Sequence, residues 1–176
     1  MERLTLETER LRLTAMTAEA LGAWIEEDVH ALRRETGAAF EAPVRTPPLF
    51  GEDLPTFRDG MRQAPDELGW WVWLVSTRDD ARPVGVCGLG GVPVNGSVTL
   101  GYSVFPEEEG QGFATEASAG LVRWVLGQAQ VERVRATVPT WNLASVAVAR
   151  KLGMVEVGHE ISDEVGEVAV YELRNA

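Results

Sequence analysis

The sequence predicts a single-domain α/β (α+β) protein, with a mixed, mostly antiparallel sheet of about seven strands, one central parallel pair and helices on both faces. Three observations carry this. Between residues 70 and 105, β-forming runs alternate with short turns, which makes an antiparallel meander. Near residue 110 a strand passes through a glycine turn into a helical repeat and then another strand, as a parallel pair joined by a crossover helix does. The 176 residues, 45% hydrophobic and 24% charged, suit one core, so residues 1–176 are read as one domain.

In order, Glu9–Ala15 alternates polar and apolar as an edge or half-buried strand does. Thr17 is placed to cap a helix over 18–30, with Leu21, Trp24, Ile25 and Val29 on one face and Glu26, Glu27 and Asp28 largely on the other. Residues 36–52 hold three prolines and two glycines and read as a surface loop of a length that often touches ligands. A helix over 53–63 aligns Leu54, Phe57 and Met61 and ends near Pro65. Trp70–Ser76 and Pro83–Leu89 form a hairpin about the polar turn Arg78–Arg82, with Trp71 and Trp73 on one face, Trp70 on the other, and all three packing residues. Asn95-Gly96 turns the chain into a strand at 98–105. A helix burying Ala117, Leu121 and Val125 then leads to a strand at 131–138, parallel to the strand at 98–105. Asn142 caps a short helix that turns Val146, Ala149 and Leu152 inward and stops at Gly153. A last hairpin pairs strands at 154–159 and 168–174 across an acidic turn at 160–165.

The functional signal lies in Gly110-Gln-Gly112. Two glycines two positions apart let the chain curl so that several backbone N–H groups point at one spot, and the helix start adds unpaired N–H groups and positive dipole. An anionic ligand is expected there, with an ordinary strand-to-helix turn as the alternative. A P-loop is excluded, because it needs four residues between its glycines and then Gly-Lys-Ser/Thr. A dinucleotide fingerprint is excluded because it needs glycine where Thr115 stands.

Composition narrows the partners. Sixteen basic and 27 acidic residues give a net charge of −11, which repels a nucleic-acid backbone and favours cationic partners. No apolar run approaches the roughly 18 residues of a membrane helix. The first residues lack the basic head and apolar stretch of a secretory leader, so a cytoplasmic location is expected. One cysteine and two histidines, His30 and His159, give neither a disulfide nor a metal cluster, and Cys87 is read as a core residue.

Thr8-Glu-Arg-Leu-Arg-Leu, Gly110-Gln-Gly-Phe-Ala-Thr-Glu-Ala, and Asn142-x-x-Ser145 followed by Lys151-Leu-Gly-Met154 occur in this order. In these pieces the sequence resembles the GNAT superfamily of N-acetyltransferases, in particular the RimJ/RimL type that acetylates protein N-termini and other amines. The resemblance runs from about residue 7 to the end. It implies acetyl-CoA as cosubstrate and no metal. Backbone N–H groups of Glu109, Gly110, Gln111, Gly112, Phe113 and Ala114 would take the pyrophosphate, with Thr115 assisting. The parallel strands would splay, leaving the backbone of Val104 and Phe105 to pair with the pantetheine arm and to supply the oxyanion donor. Asn142 and Ser145 would meet that arm from the other side.

Three departures from the family pattern matter. Glu107 stands where Gln or Arg often opens the loop. Ala149, seven residues after the asparagine, stands where many members carry the tyrosine that protonates the leaving thiolate. Met154 replaces a phenylalanine, a mild change. The resemblance places Ser145 beside the thioester, as the RimJ/RimL type does with a serine, and so implies Ser145 as general acid, with plain helix-start chemistry as the alternative. No base is assigned; Glu26, Glu27, Asp28, His30 and Glu35, near the first helix, are candidates beside a water relay. The implied acceptor is a primary amine on a protein N-terminus, an amino acid or a small molecule, and a homodimer is compatible. Ala149 also admits the alternative of a CoA-binding or sensing domain that transfers nothing. A pure interaction module presenting Trp70–Trp73 leaves the glycine loop without a purpose.

Overall fold

The computed structural model describes residues 3–175. Among them the sheet has eight strands: β1 (Thr5–Glu7), β2 (Leu11–Ala15), β3 (Val72–Thr77), β4 (Pro83–Leu89), β5 (Ser97–Val104), β6 (Arg133–Pro139), β7 (Val155–Ser162) and β8 (Gly166–Arg174). Their order is β1-β2-β3-β4-β5-β6-β8-β7, and only β5 and β6 run parallel. Helices α1 (Ala18–Ile25), α2 (Val29–Thr36) and α3 (Leu54–Gln63) pack on one face, while α4 (Phe113–Leu126) and α5 (Leu143–Lys151) pack on the other.

Strand alternation divides the core. Trp73 and Val75 of β3 join Leu121, Val125 and Ala149 on the α4–α5 side, whereas Val72 and Leu74 join Leu21, Trp24 and Leu32 on the α1–α3 side, as the two-residue period of a strand requires. Leu121 and Val125 are fully buried; at about 1.5–3 kcal/mol for each such side chain, this helical stripe is enough to fix α4 on the sheet and so to fix where its N-terminus points.

Several elements differ from expectation. The strand count is eight because the short edge strand β1 pairs with β2, and three residues are too few to show a period. The helix expected over 18–30 is two helices. Glu27 takes a left-handed φ of 54°, and Asp28 caps α2 by accepting the Ala31 N–H at 2.9 Å, so the acidic triplet forms a break instead of a helix face. α2 then extends to Thr36, ending at Gly37 with φ 76°, which shortens the following loop.

The tryptophans are also arranged differently. Trp70 and Trp73 both meet Trp124, at centroid distances of 5.5 and 5.4 Å, while Trp71 meets Phe57 on the opposite face at 6.3 Å. Regular strand geometry begins only at Val72, after Gly69 with φ 95°, so alternation does not extend back to residues 70 and 71. The acidic segment after His159 is strand as far as Ser162, leaving a tighter turn before β8.

Candidate functional site

The parallel pair opens. β5 and β6 are in register only from Ser97↔Arg133 to Thr99↔Arg135; beyond that β6 pairs with β8 alone and β5 with β4 alone. Phe105 N–H donates to Val84 O at 3.0 Å and Gly90 N–H to Thr99 O at 2.9 Å, so the odd-numbered residues of this segment turn their backbone toward β4. In an antiparallel ladder the alternate residues turn away. The N–H and C=O groups of Tyr102 and Val104 therefore face the opening. This corrects one expectation: Val104 has a backbone donor to offer there, whereas the Phe105 N–H is committed to Val84.

The glycine loop borders the opening. Gly110 and Gly112 have φ of 76° and 80°, conformations that a side chain strains. Gly112 is the N-cap residue of α4 and supplies no capping side chain. The first-turn N–H groups, which a serine or aspartate there would engage, remain available to an anion.

The acidic run before the loop is largely compensated. Glu107 pairs with Arg45, a hydrogen bond that holds its carboxyl below the usual range. Buried Glu108 pairs with Arg82 and accepts from Gln111 Nε2 at 3.1 Å. The charge that replaces the family's Gln or Arg thus turns toward arginine.

Across the opening stands the first turn of α5. Asn142 Oδ1 accepts the Ser145 N–H at 3.1 Å, which leaves its Nδ2 without a protein partner among the described residues. Ser145 also receives, on its carbonyl oxygen, the hydroxyl of Tyr102 at 2.8 Å. That bond spans from β5 to α5. Burial, with a smaller contribution from neighbouring Tyr171, pushes the Tyr102 phenol up to about 12, the bond to Ser145 opposing, so the hydroxyl keeps its proton.

A cavity of about 740 Å³ joins these parts and continues through the opening to the other face, where Phe57, Trp71 and Asp53 line it. Of the residues expected at the site, Val104, Glu109, Gly110, Gly112, Phe113, Ala114, Thr115, Asn142 and Ser145 all line it. Phe105 and Gln111 do not. Phe105 is buried under the Arg45 guanidinium, 5.2 Å from its ring, and Gln111 is turned to Glu108 and Arg10. None of Glu26, Glu27, Asp28, His30 or Glu35 lines it either, because the break between α1 and α2 carries that segment elsewhere.

Of the lining residues that escaped the sequence reading, three carry polar side chains of chemical interest. Tyr102 looked like one more strand residue, Asp53 like a helix start, and Lys151 like a helix end, although Lys151 is the one lysine in the chain. Cys87 also lines the cavity but is buried, and burial pushes its thiol well above the ordinary range. That opposes a nucleophilic role. Among the described residues no group of three or more His, Cys, Asp or Glu could hold a metal ion, and no helix is long and apolar enough to cross a membrane.

The fold recurs in solved structures. A GNAT-family acetyltransferase from Bacillus anthracis is 19% identical, with 98% of this chain and 99% of that chain covered and a TM-score of 0.66. A RimL ribosomal L7/L12 α-N-protein acetyltransferase in complex with coenzyme A is 18% identical over 97% and 98%, with a TM-score of 0.70. The ribosomal-protein-S5-alanine acetyltransferase of Vibrio fischeri is 15% identical over 98% and 97%, with a TM-score of 0.67. No curated protein matches the chain. The family model for the acetyltransferase (GNAT) domain matches residues 10–155, a span that takes in the opened strand pair, the uncapped glycine turn and the whole of α5. With that match over most of its length, this chain belongs to the GNAT acetyltransferase family and is an acetyl-CoA-dependent N-acetyltransferase.

Proposed function

We propose that the donor lies on the α4–α5 side of the sheet and that a primary amine reaches it from the α1–α3 side, through the opening between β5 and β6. The observation that best supports this is the opening itself. It frees the backbone of one strand opposite the start of α5 and joins the two faces through one cavity.

Acetyl-CoA supplies a thioester: the amine nitrogen bonds to the carbonyl carbon, the C–S bond breaks, and the thiolate must be protonated. The chain's groups fit the parts of this reaction. The turn from Glu109 to Ala114 offers backbone N–H groups to the pyrophosphate, with Thr115 beside it. Val104 N–H faces the opening, as a donor to a developing oxyanion should. Asn142 Nδ2 is free for an amide carbonyl of the pantetheine arm. The Ser145 hydroxyl is the assigned proton donor to sulfur.

On the acceptor side, Asp53 has neither a capping bond nor an ion pair among the described residues. It is the carboxylate placed to attract an ammonium group, which then loses its proton to water or to Asp53 before attack. A cavity open to solvent suits a flexible peptide N-terminus as well as a small amine; two of the similar structures carry names of ribosomal-protein acetyltransferases, which favours the RimL-type peptide acceptor. The lone buried thiol suits the cytoplasm, where we place the reaction.

The test is a mass-spectrometric screen for acetylated peptides and small amines, run with acetyl-CoA consumption. Consumption coupled to an acetylated amine is expected. A rise in melting temperature with CoA but no acetylation of any amine would instead favour a CoA-binding domain, and no rise at all would remove the donor site.

A further inference from the structure

The Thr8-to-Leu13 segment and Glu116 come together, although the proposed reaction uses neither. The Glu116 carboxylate accepts three hydrogen bonds: from Thr8 Oγ1 at 2.6 Å, Arg10 N–H at 2.7 Å and Arg10 Nε at 2.7 Å. The same guanidinium donates through Nη1 to Gln111 O at 3.0 Å and lies 4.7 Å from the Phe113 ring centroid. One arginine of the β1–β2 turn thus grips the glycine turn and the first part of α4 together.

We propose that Arg10, clasped to Glu116, is a positioning residue that presets the pyrophosphate cradle, an inference that rests on the reading of Glu109 to Ala114 as the pyrophosphate site. In a trans peptide the C=O and the following N–H point opposite ways. Arg10 holds the Gln111 carbonyl on its own side, so the Gly112 N–H is turned away, toward the cavity that Gly112 lines. Were this peptide released, it could rotate and present a carbonyl oxygen to the phosphate.

The second effect is electrostatic. Glu116 is the fourth residue of α4, close enough to the helix start for a loose carboxylate to take up its free N–H groups and to repel an anion. Burial acts to raise its carboxyl, but the bonds from Thr8 and Arg10 outweigh this and hold it below the usual range. Arg10 neutralises that charge and keeps it away from the cradle.

The experiment compares CoA with pantetheine, which lacks the pyrophosphate: Kd by calorimetry for the first and by competition for the second. Arg10→Gln is expected to weaken CoA about tenfold or more, the scale of one lost charged hydrogen bond, and pantetheine by less than about twofold. Arg10→Lys keeps the charge without the two-armed grip, so it should retain most of the CoA-specific loss, and it serves if Arg10→Gln does not fold.

Equal loss for both ligands would make Arg10 a general structural residue and overturn the proposal, as would parental CoA affinity in Arg10→Lys. Gly112→Asp separates this from the parent reading. If Gly112→Asp weakens CoA selectively while the folded Arg10 variants do not, only the clasp fails. If Gly112→Asp also leaves CoA unaffected, the pyrophosphate site itself is wrong.

Discussion

Replacing Gly112 by aspartate separates two costs that the structure lets one work out. Gly112 has φ 80°, and a Cβ there meets only Arg10 Nη2 at 3.5 Å, an ordinary contact, so the folded chain has room for the side chain. What remains is backbone strain, about 1–2 kcal/mol for a left-handed residue with a side chain. For a chain of this size each kcal/mol lowers Tm by about 2–4 °C, which predicts a fall of roughly 2–8 °C and a variant that still folds. Ligand binding suffers more. A carboxylate about 4 Å from a phosphate charge costs about 4 kcal/mol at an effective dielectric constant near 20. If salt and Arg10 screen half of it, the remaining ~2 kcal/mol is about 30-fold in Kd. Gly110→Ala is the control: φ is 76° and nothing lies within 4 Å, so strain alone should appear, with CoA affinity within about threefold. Calorimetric titration of CoA and thermal melts of both variants test this. A folded Gly112→Asp protein that binds CoA as the parent does would show that the pyrophosphate lies elsewhere.

Asn142→Asp keeps the helix cap but loses the Nδ2 donor, so Tm should hold while CoA binding weakens by about three- to tenfold; equal affinity would reduce Asn142 to a cap. Ser145→Ala should lower kcat by about 10², the low end for a positioned acid, with the CoA Kd nearly unchanged. Tyr102→Phe removes the 2.8 Å bond to Ser145 O, about 1 kcal/mol, so Tm should fall about 2–4 °C; a larger kcat loss than in Ser145→Ala would move the proton donor to Tyr102. The phenol is raised from 10 to about 12, so what it contributes as a neutral donor is fully present below 10 and lost only as pH rises through about 12. A kcat limb lying below pH 10 must therefore survive in Tyr102→Phe. Asp53→Asn should raise the acceptor KM and leave the CoA Kd alone; the reverse pattern would place Asp53 on the donor side.

Much of the fold was legible because local signals and burial agree. Thr17 and Asn142 cap the helices they were expected to cap, and Asn95-Gly96, with φ of 49° and 73°, turns the chain into β5. The conformation of the glycine turn was legible for the same reason: φ of 76° and 80° at Gly110 and Gly112 is what glycine spacing reports directly. The misreadings fall where one pattern fits two structures. Leu21 to Val29 satisfies one helical face as well as two short helices, and only the Asp28 cap with Gly37 as stop decides between them. Trp70 to Trp73 alternates in sequence, but the turn at Gly69 sets where alternation begins. Phe105 looked equivalent to Val104 because sequence does not reveal which of two successive residues a neighbouring strand will hydrogen-bond. The Arg10–Glu116 clasp was visible only as two motifs; its members are 106 residues apart, and no periodicity links them.

The alanine at position 149 changes meaning once α5 is seen in place. The face of α5 that lines the cavity carries Ala144, Ser145, Ala147, Val148 and Lys151, one helical stripe. Ala149 stands one turn beyond Ser145 at the edge of that stripe, but it is fully buried against the core and does not line the cavity. A phenol at 149 would have to displace packed neighbours, at a cost of about 1–3 kcal/mol for an overfilled core, before its oxygen could reach the cavity. The surroundings of residue 149 are thus built for a methyl group. Among the hydroxyl residues that line the cavity are Ser145, at the chain's own helix start, and Tyr102, brought across from β5 and bonded to the Ser145 carbonyl. A tyrosine missing from the helix is therefore no argument against turnover in this chain, because the reaction needs a protonated hydroxyl near sulfur and not a particular position to carry it. Ala149→Tyr should accordingly lose stability without gaining kcat. If it instead gained turnover at unchanged Tm, residue 149 would face the thioester after all, and neither Ser145 nor Tyr102 would be needed as the acid.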